Sequence, residues 1–362
     1  MTFPTLQIGH LVSRIPIIQG GMGVGISLSG LASAVAEQGG VGVIAGAMAG
    51  INEPDAATDS TAANIRALKR EIRKAREKTD GILGVNIMVA LSNYSDLVRA
   101  AIEEGIDIIF SGAGLPQDLP AYLTEGCRTR LVPIVSSGRA ATIICRKWLS
   151  RFDYLPDAFV VEGPMAGGHL GFKPDQIEDP RYRLENLVVE VIEAVKSFES
   201  GLGRPIPVIA AGGIFTGEDI GRFLDLGAAG VQMGTRFVAT TECDADEAFK
   251  QAYVDAKAED LVVIESPVGM PGRALRNDFL DAVRRGQKKP FTCPYHCIKT
   301  CNREKSPYCI ALALACAKKG KLKNGFAFAG KNAYRVTEIL SVKELIDRLH
   351  AEYVNACQCA AA

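Results

Sequence analysis

The chain has 362 residues, with 41 basic side chains balanced by 41 acidic ones and 48% hydrophobic residues. That length exceeds one minimal domain and predicts a large domain plus a smaller one. No basic stripe suits nucleic acid, no apolar run reaches the ~18 residues of a membrane span, and MTFPTLQIGHLVSRIP lacks a signal-peptide core, so a cytoplasmic protein is expected.

Eight apolar runs follow one another along the chain. The first four are residues 16–21 (PIIQGG), 40–46 (GVGVIAG), 84–89 (GVNIMV) and 106–112 (IDIIFSG). The next four are residues 131–137 (LVPIVSS), 158–163 (AFVVEG), 207–214 (PVIAAGGI) and 230–237 (GVQMGTRF). Runs without polar alternation are what strands covered on both faces look like. Helical candidates between them occupy residues 61–78, 97–104, 139–149, 184–198 and 217–226. Eight strand–helix units predict a (β/α)8 barrel, with an open doubly wound sheet as the alternative.

Three stretches ending in glycine carry the chemistry. Gly212 and Gly213 end the seventh run, and Gln232, Met233, Gly234 and Thr235 end the eighth. In such barrels the loops after the seventh and eighth strands commonly bind phosphate through bare backbone amides. Glycine there lets the backbone approach the anion, and Thr235 adds a hydroxyl; tight turns without a ligand are the alternative. The third stretch, EGPMAGGHLG, follows the sixth run and sets His169, one of 4 histidines, beside Gly168. An imidazole titrating near neutrality, between glycines at a strand end, suits acid–base work. It could instead be a loop histidine bonded to a neighbouring carbonyl. Glu162 could orient it or simply accept from backbone amides. Gln19 reads as structural, and Ser136 and Ser137 as turn formers.

The motifs PIIQGGMG, GVNIMV, AGGHLG, AAGGI and GVQMGTRF, in that order, resemble the nitronate monooxygenase family. They are also similar to the flavin-dependent enoyl reductases of bacterial fatty-acid synthesis. The resemblance implies an FMN-binding TIM barrel. It places Met22, Gly23 and Asn86 near the flavin ring, and Gly213 with residues 232–235 at the ribityl phosphate. It also implies that His169 abstracts the proton α to a nitro group, or that the relatives' NAD(P)H-dependent alkene reduction applies. Without the resemblance, the glycine ends alone would equally serve a flavin-free isomerase or lyase of a phosphorylated substrate. A small-molecule substrate is expected on each reading, and the oligomeric state stays open.

Beyond Thr241 the pattern changes. Residues 242–283 read as helices broken by SPVGMPGRA, and a cysteine segment follows. The boundaries expected are a barrel over residues 1–242, a small lobe over 243–323 and a return segment with a tail over 324–362. Of 10 cysteines, Cys293, Cys297, Cys301 and Cys309 stand at near-regular steps before an apolar helix. Four such thiols could hold a 4Fe–4S cluster, with Lys299, Arg303 and Lys305 offsetting its charge. Zinc with His296 nearby, or unligated buried thiols, are the alternatives. Cys316 could pack in the helix or substitute as a ligand, and Cys357 and Cys359 read as idle. A cluster would favour a reductase over a monooxygenase.

Overall fold

Successive residues of a strand face opposite sides, so a strand covered on both faces needs apolar groups throughout. The computed structural model describes residues 2–288, 293–302 and 304–361. It forms all eight apolar runs into one parallel sheet. The strands are β1 (Ile17–Gln19), β2 (Gly42–Ala45), β3 (Leu83–Met88) and β4 (Ile108–Gly112). They continue with β5 (Arg130–Val135), β6 (Phe159–Glu162), β7 (Val208–Ala211) and β8 (Gly230–Met233). Their hydrogen-bonded order is β1-β8-β7-β6-β5-β4-β3-β2.

The seam between β1 and β2 closes the sheet into a barrel. A parallel bridge joins Ile18 to Val41, with Gln19 N donating to Val41 O at 2.9 Å. Where this short ladder runs out, the fully buried Gln19 side chain extends it. Its Oε1 accepts the Val43 amide at 3.0 Å. Gln19 is therefore structural, and the open sheet is set aside.

Helices α1 (Ser29–Glu37), α2 (Ser60–Arg76) and α3 (Tyr94–Glu103) follow the first three strands. After β5 to β8 come α4 (Gly138–Phe152), α5 (Leu184–Leu202), α6 (Gly217–Asp225) and the single-turn α7 (Thr235–Val238). Two details differ from the sequence pattern. The fourth unit has only a 3₁₀ turn at Leu119–Tyr122, with a proline in its first turn, where an α-helix was expected. The eighth apolar run is split, because the chain turns at Gly234 from β8 into α7.

The pleat sorts the interior. Val43, Phe110, Val132, Val160 and Ile209 fill the barrel, and Leu6 and Ile8 of an N-terminal hairpin join them. Asn86 and Glu162 lie one pleat beyond inward-facing Gly84 and Val160, at the strands' C-terminal end. Gln232 stands likewise beyond Gly230, whose added Cβ would meet Leu6. Outward positions such as Val85, Ile87, Val161 and Val231 pack under the helices.

After β8 come α8 (Glu247–Val254), then β9 (Leu261–Glu265) and β10 (Pro271–Leu275). This hairpin is antiparallel, and β10 also pairs with a two-residue strand, Gly168–His169. Residues 242–283 are thus only partly helical; the β-branched run LVVIE and the left-handed Gly269 (φ 83°) make a hairpin. The remaining helices are α9 (Asp278–Arg284), α10 (Ile310–Lys318) and α11 (Val342–Ala361). Phe279, Tyr308, Ile310 and Phe326 form a separate apolar cluster beneath the hairpin. Helix α11 returns to cover α6. There Gly217 N donates to Glu352 Oε2 at 2.7 Å, and a Cβ on Gly217 would stand 2.1 Å from Leu349 O. No helix of the described residues is long and apolar enough to cross a membrane.

Replacing Gln19 by Leu leaves the Val43 amide without its acceptor inside the seam. Chemical denaturation is expected to show a loss of about 1–3 kcal/mol. An unchanged midpoint would mean that the seam closes without this side chain.

Candidate active site

The C-terminal mouth of the barrel opens into one cavity of about 670 Å³, within the range of cofactor sites. Met22, Gly23, Asn86, Gly168, His169, Gly212, Gly213, Gln232, Met233, Gly234 and Thr235 all line it. The structure thus brings every residue singled out for cofactor and catalysis to one chamber.

The phosphate end is built from the tips of β7 and β8. Gly212 and Gly213 have φ of 97° and 90°, a conformation that disfavours any side chain. A Cβ on Gly213 would also stand 2.8 Å from the Met165 Cβ. Gly234 differs. Its φ is −116°, and an added Cβ would find only Met22 Sδ at 3.4 Å. Neither backbone strain nor protein crowding demands glycine at 234, and the position opens onto the chamber. Among the described residues the Gly213 and Gly234 amides donate to no protein acceptor. Thr235 Oγ1 accepts the Gly330 amide at 3.2 Å and keeps its own proton to donate. Asn332 Nδ2 donates to Gly213 O at 2.6 Å, so the return segment braces this end. The bare amides, the hydroxyl and the open glycine suit the phosphate of FMN.

At the other end Gly21 lies so close to Asn86 that a Cβ would stand 2.4 Å from the asparagine Cβ. The β1 tip can therefore lie flat beside an amide able to donate and accept at a ring edge. Ser136 and Ser137 also line the chamber, and Ser137 caps α4 by accepting the Ala140 amide.

His169 is held by elements far apart in sequence. Its strand pairs with β10 through Gly272 and Arg273, and buried Arg273 donates to the Ala166 carbonyl at 3.1 Å. His169 Nε2 lies 2.8 Å from Ser266 Oγ, in the turn between β9 and β10. The Phe328 ring packs edge-on at 4.9 Å between centroids. Burial in these surroundings lowers the imidazole pKa to about 4, so it is neutral near pH 7. Glu162 faces the same chamber, and burial raises its carboxyl to about 7. Among the described residues its carboxyl accepts no hydrogen bond, from His169 or from a backbone amide. Ser266, Phe328 and Asn332 escaped the sequence reading because only tertiary pairing brings them here. The polar serine within SPVGMPGRA was their one local signal.

The model of the family described as nitronate monooxygenase matches residues 5–352. The chain belongs to the nitronate monooxygenase family. Over 273 residues it is 32% identical to (3aS,4S,5R,7aS)-5-hydroxy-7a-methyl-1-oxo-octahydro-1H-indene-4-carboxyl-CoA dehydrogenase of Mycobacterium tuberculosis, covering 75% of this chain and 66% of that relative. The chain thus spans just under two thirds of that relative's length. A probable nitronate monooxygenase of Bacillus subtilis is 27% identical, covering 94% of this chain and 96% of the relative. Among solved structures, FabK from Thermotoga maritima superposes with a TM-score of 0.74 at 31% identity, covering 96% of each chain.

The four cysteines sit beside this chamber. Cys293, Cys297, Cys301 and Cys309 line a second cavity of about 250 Å³ together with Lys299. All are free thiols. Burial, followed by the neighbouring Cys309 and Cys293, pushes the Cys297 thiol up to about 12. Among the described residues no group of three or more His, Cys, Asp or Glu side chains could hold a metal ion as the side chains stand. Cys316 lies in α10, and Cys357 and Cys359 in α11. Lys305 is exposed, and Arg303, expected to offset the charge of a cluster, lies outside the described residues.

Gly234→Val isolates the cradle from the fold. The variant is expected to keep the wild-type melting temperature of the apoprotein and lose FMN affinity by roughly tenfold or more, about 1.4 kcal/mol. Full retention of FMN in equilibrium dialysis would remove Gly234 from the binding site.

Proposed function

We propose that the chain oxidises alkyl nitronates with O₂, His169 taking the α-proton when the substrate is a neutral nitroalkane. The observation that carries this reading is a neutral, buried imidazole in the same chamber as a phosphate cradle. Bound FMN would supply the two-electron oxidation and the reaction with O₂. Gly212, Gly213, Gln232, Met233, Gly234 and Thr235 would hold its phosphate end, and Met22, Gly23 and Asn86 its ring. Gly168, left-handed and with nothing within 4 Å of an added Cβ, leaves open space beside the imidazole.

Proton transfer follows from the contacts of His169. In the tautomer whose Nε2–H donates to Ser266 Oγ, Nδ1 carries the lone pair that takes the substrate proton. Burial keeps that lone pair free where an exposed imidazole would be partly protonated. Glu162 acts in the same direction: below about pH 7 it carries no full charge to repel an anionic nitronate. Arg273 and the β9–β10 hairpin fix the loop, so the base meets the substrate at one place.

The likeness to FabK at 31% identity favours a second reading within the same fold. In it NAD(P)H reduces the flavin, and the chamber takes an activated alkene such as an enoyl thioester. Anaerobic mixing separates the two. Rapid bleaching of the flavin by ethyl nitronate, with slow bleaching by NAD(P)H, supports nitronate oxidation; the reverse order supports the reductase.

His169→Ala is expected to retain FMN, to lower turnover of neutral nitroalkanes by about 10²–10⁴-fold, and to spare preformed nitronates. For the wild type, kcat/KM for nitroethane is lost as pH falls through the imidazole pKa of about 4. A loss centred at the ordinary value of 6.5 would show that His169 is exposed or is not the base.

A further inference from the structure

The flavin chamber leaves the cysteine segment unexplained, and three observations converge on it. The first is placement. Cys293, Cys297 and Cys301 approach from one loop and Cys309 from the cap position of α10, all lining the same 250 Å³ cavity. The second is anchoring. Ser92 N donates to Cys297 O at 3.1 Å and Lys299 N to Ala90 O at 3.0 Å, while Ser92 Oγ donates to His296 O at 2.6 Å. The segment is therefore fixed to the loop after β3, the strand that carries Asn86. Cys297 and Ile298 line both cavities, which share a wall.

The third observation is an orphan. Tyr308 is 6% exposed and lines the cysteine cavity. Among the described residues its Oη is the one buried side-chain nitrogen or oxygen without a hydrogen-bond partner. Such a group costs about 1–3 kcal/mol unless something accepts its proton. In a cavity walled by thiols, the missing acceptor belongs to whatever fills the space.

Geometry selects the occupant. A single zinc ion with bonds of about 2.3 Å would draw four sulfurs to within about 3.8 Å of one another. Thiolates are the usual ligands of iron–sulfur clusters, and four of them lining one cavity of about 250 Å³ leave room for a multi-iron core. We propose that Cys293, Cys297, Cys301 and Cys309 hold a [4Fe–4S] cluster against the wall of the flavin chamber, with a cluster sulfur accepting the Tyr308 hydroxyl proton. Lys299 supplies positive charge beside it.

The full-length protein, purified without oxygen, is expected to contain about four iron and four acid-labile sulfide per chain. Cys309→Ser should lower both several-fold while FMN content, which reports on the barrel, stays at the wild-type level. Cys127→Ser, outside the cavity, should leave them unchanged. Tyr308→Phe should keep the iron and lower the reduction potential, because a hydrogen bond to sulfur stabilises the reduced cluster. About one zinc per chain without sulfide would overturn the proposal. So would failure to take up iron on anaerobic reconstitution with ferrous iron and sulfide, with all four thiols open to alkylation. Because flavin and iron are assayed separately, this outcome is independent of the nitronate reading.

Discussion

The alternation of the strand pleat governs this molecule. Each barrel strand must bury both faces, so its inward side chains are apolar along most of its length and turn polar or vanish at the C-terminal end. Phe110, Val160 and Ile209 close the barrel below, while Asn86, Glu162 and Gln232 occupy inward positions at the mouth. Where β7 and β8 end in glycine, backbone amides stand bare beside that polar ring. The chamber is what remains when apolar filling stops short of the mouth.

The same burial sets the charge state of the chamber. It depresses His169 and raises Glu162, so both groups favour their uncharged forms. The consequences for stability have opposite signs. Between about 4 and 6.5 the unfolded chain protonates His169 more readily than the folded one, so this group favours folding as pH rises through that window. Between 4.5 and about 7 the folded chain holds the Glu162 proton that the unfolded chain has lost, so this group disfavours folding as pH rises. The chamber thus keeps both groups uncharged by giving up stability on either side of mild acidity.

Much of this was legible in the chain. Strands covered on both faces leave continuous apolar runs, and each of the eight was readable to within a few residues. The glycine tip of β7 was readable because left-handed backbone at Gly212 and Gly213 tolerates little else. Helix α1 was not, since its small residues SGLASAVAE lack a strong polar face. The β9–β10 hairpin was hidden because LVVIE is too short for periodicity to separate strand from helix. The partner of His169 was the least readable feature: Ser266 lies 97 residues away and joins the site only through strand pairing. Cysteine spacing announced a cluster of thiols, while the unpartnered Tyr308 hydroxyl became visible only in three dimensions.

Helix α6 meets α11 at Gly217, and the residue that bonds it there comes 135 positions later. Synthesis adds roughly 5–20 residues each second, so this flank must wait for α11 while the intervening chain is still being made. Until then the nascent barrel offers a bare, adhesive side. The barrel's α6 flank is therefore among the last surfaces of the chain to be covered.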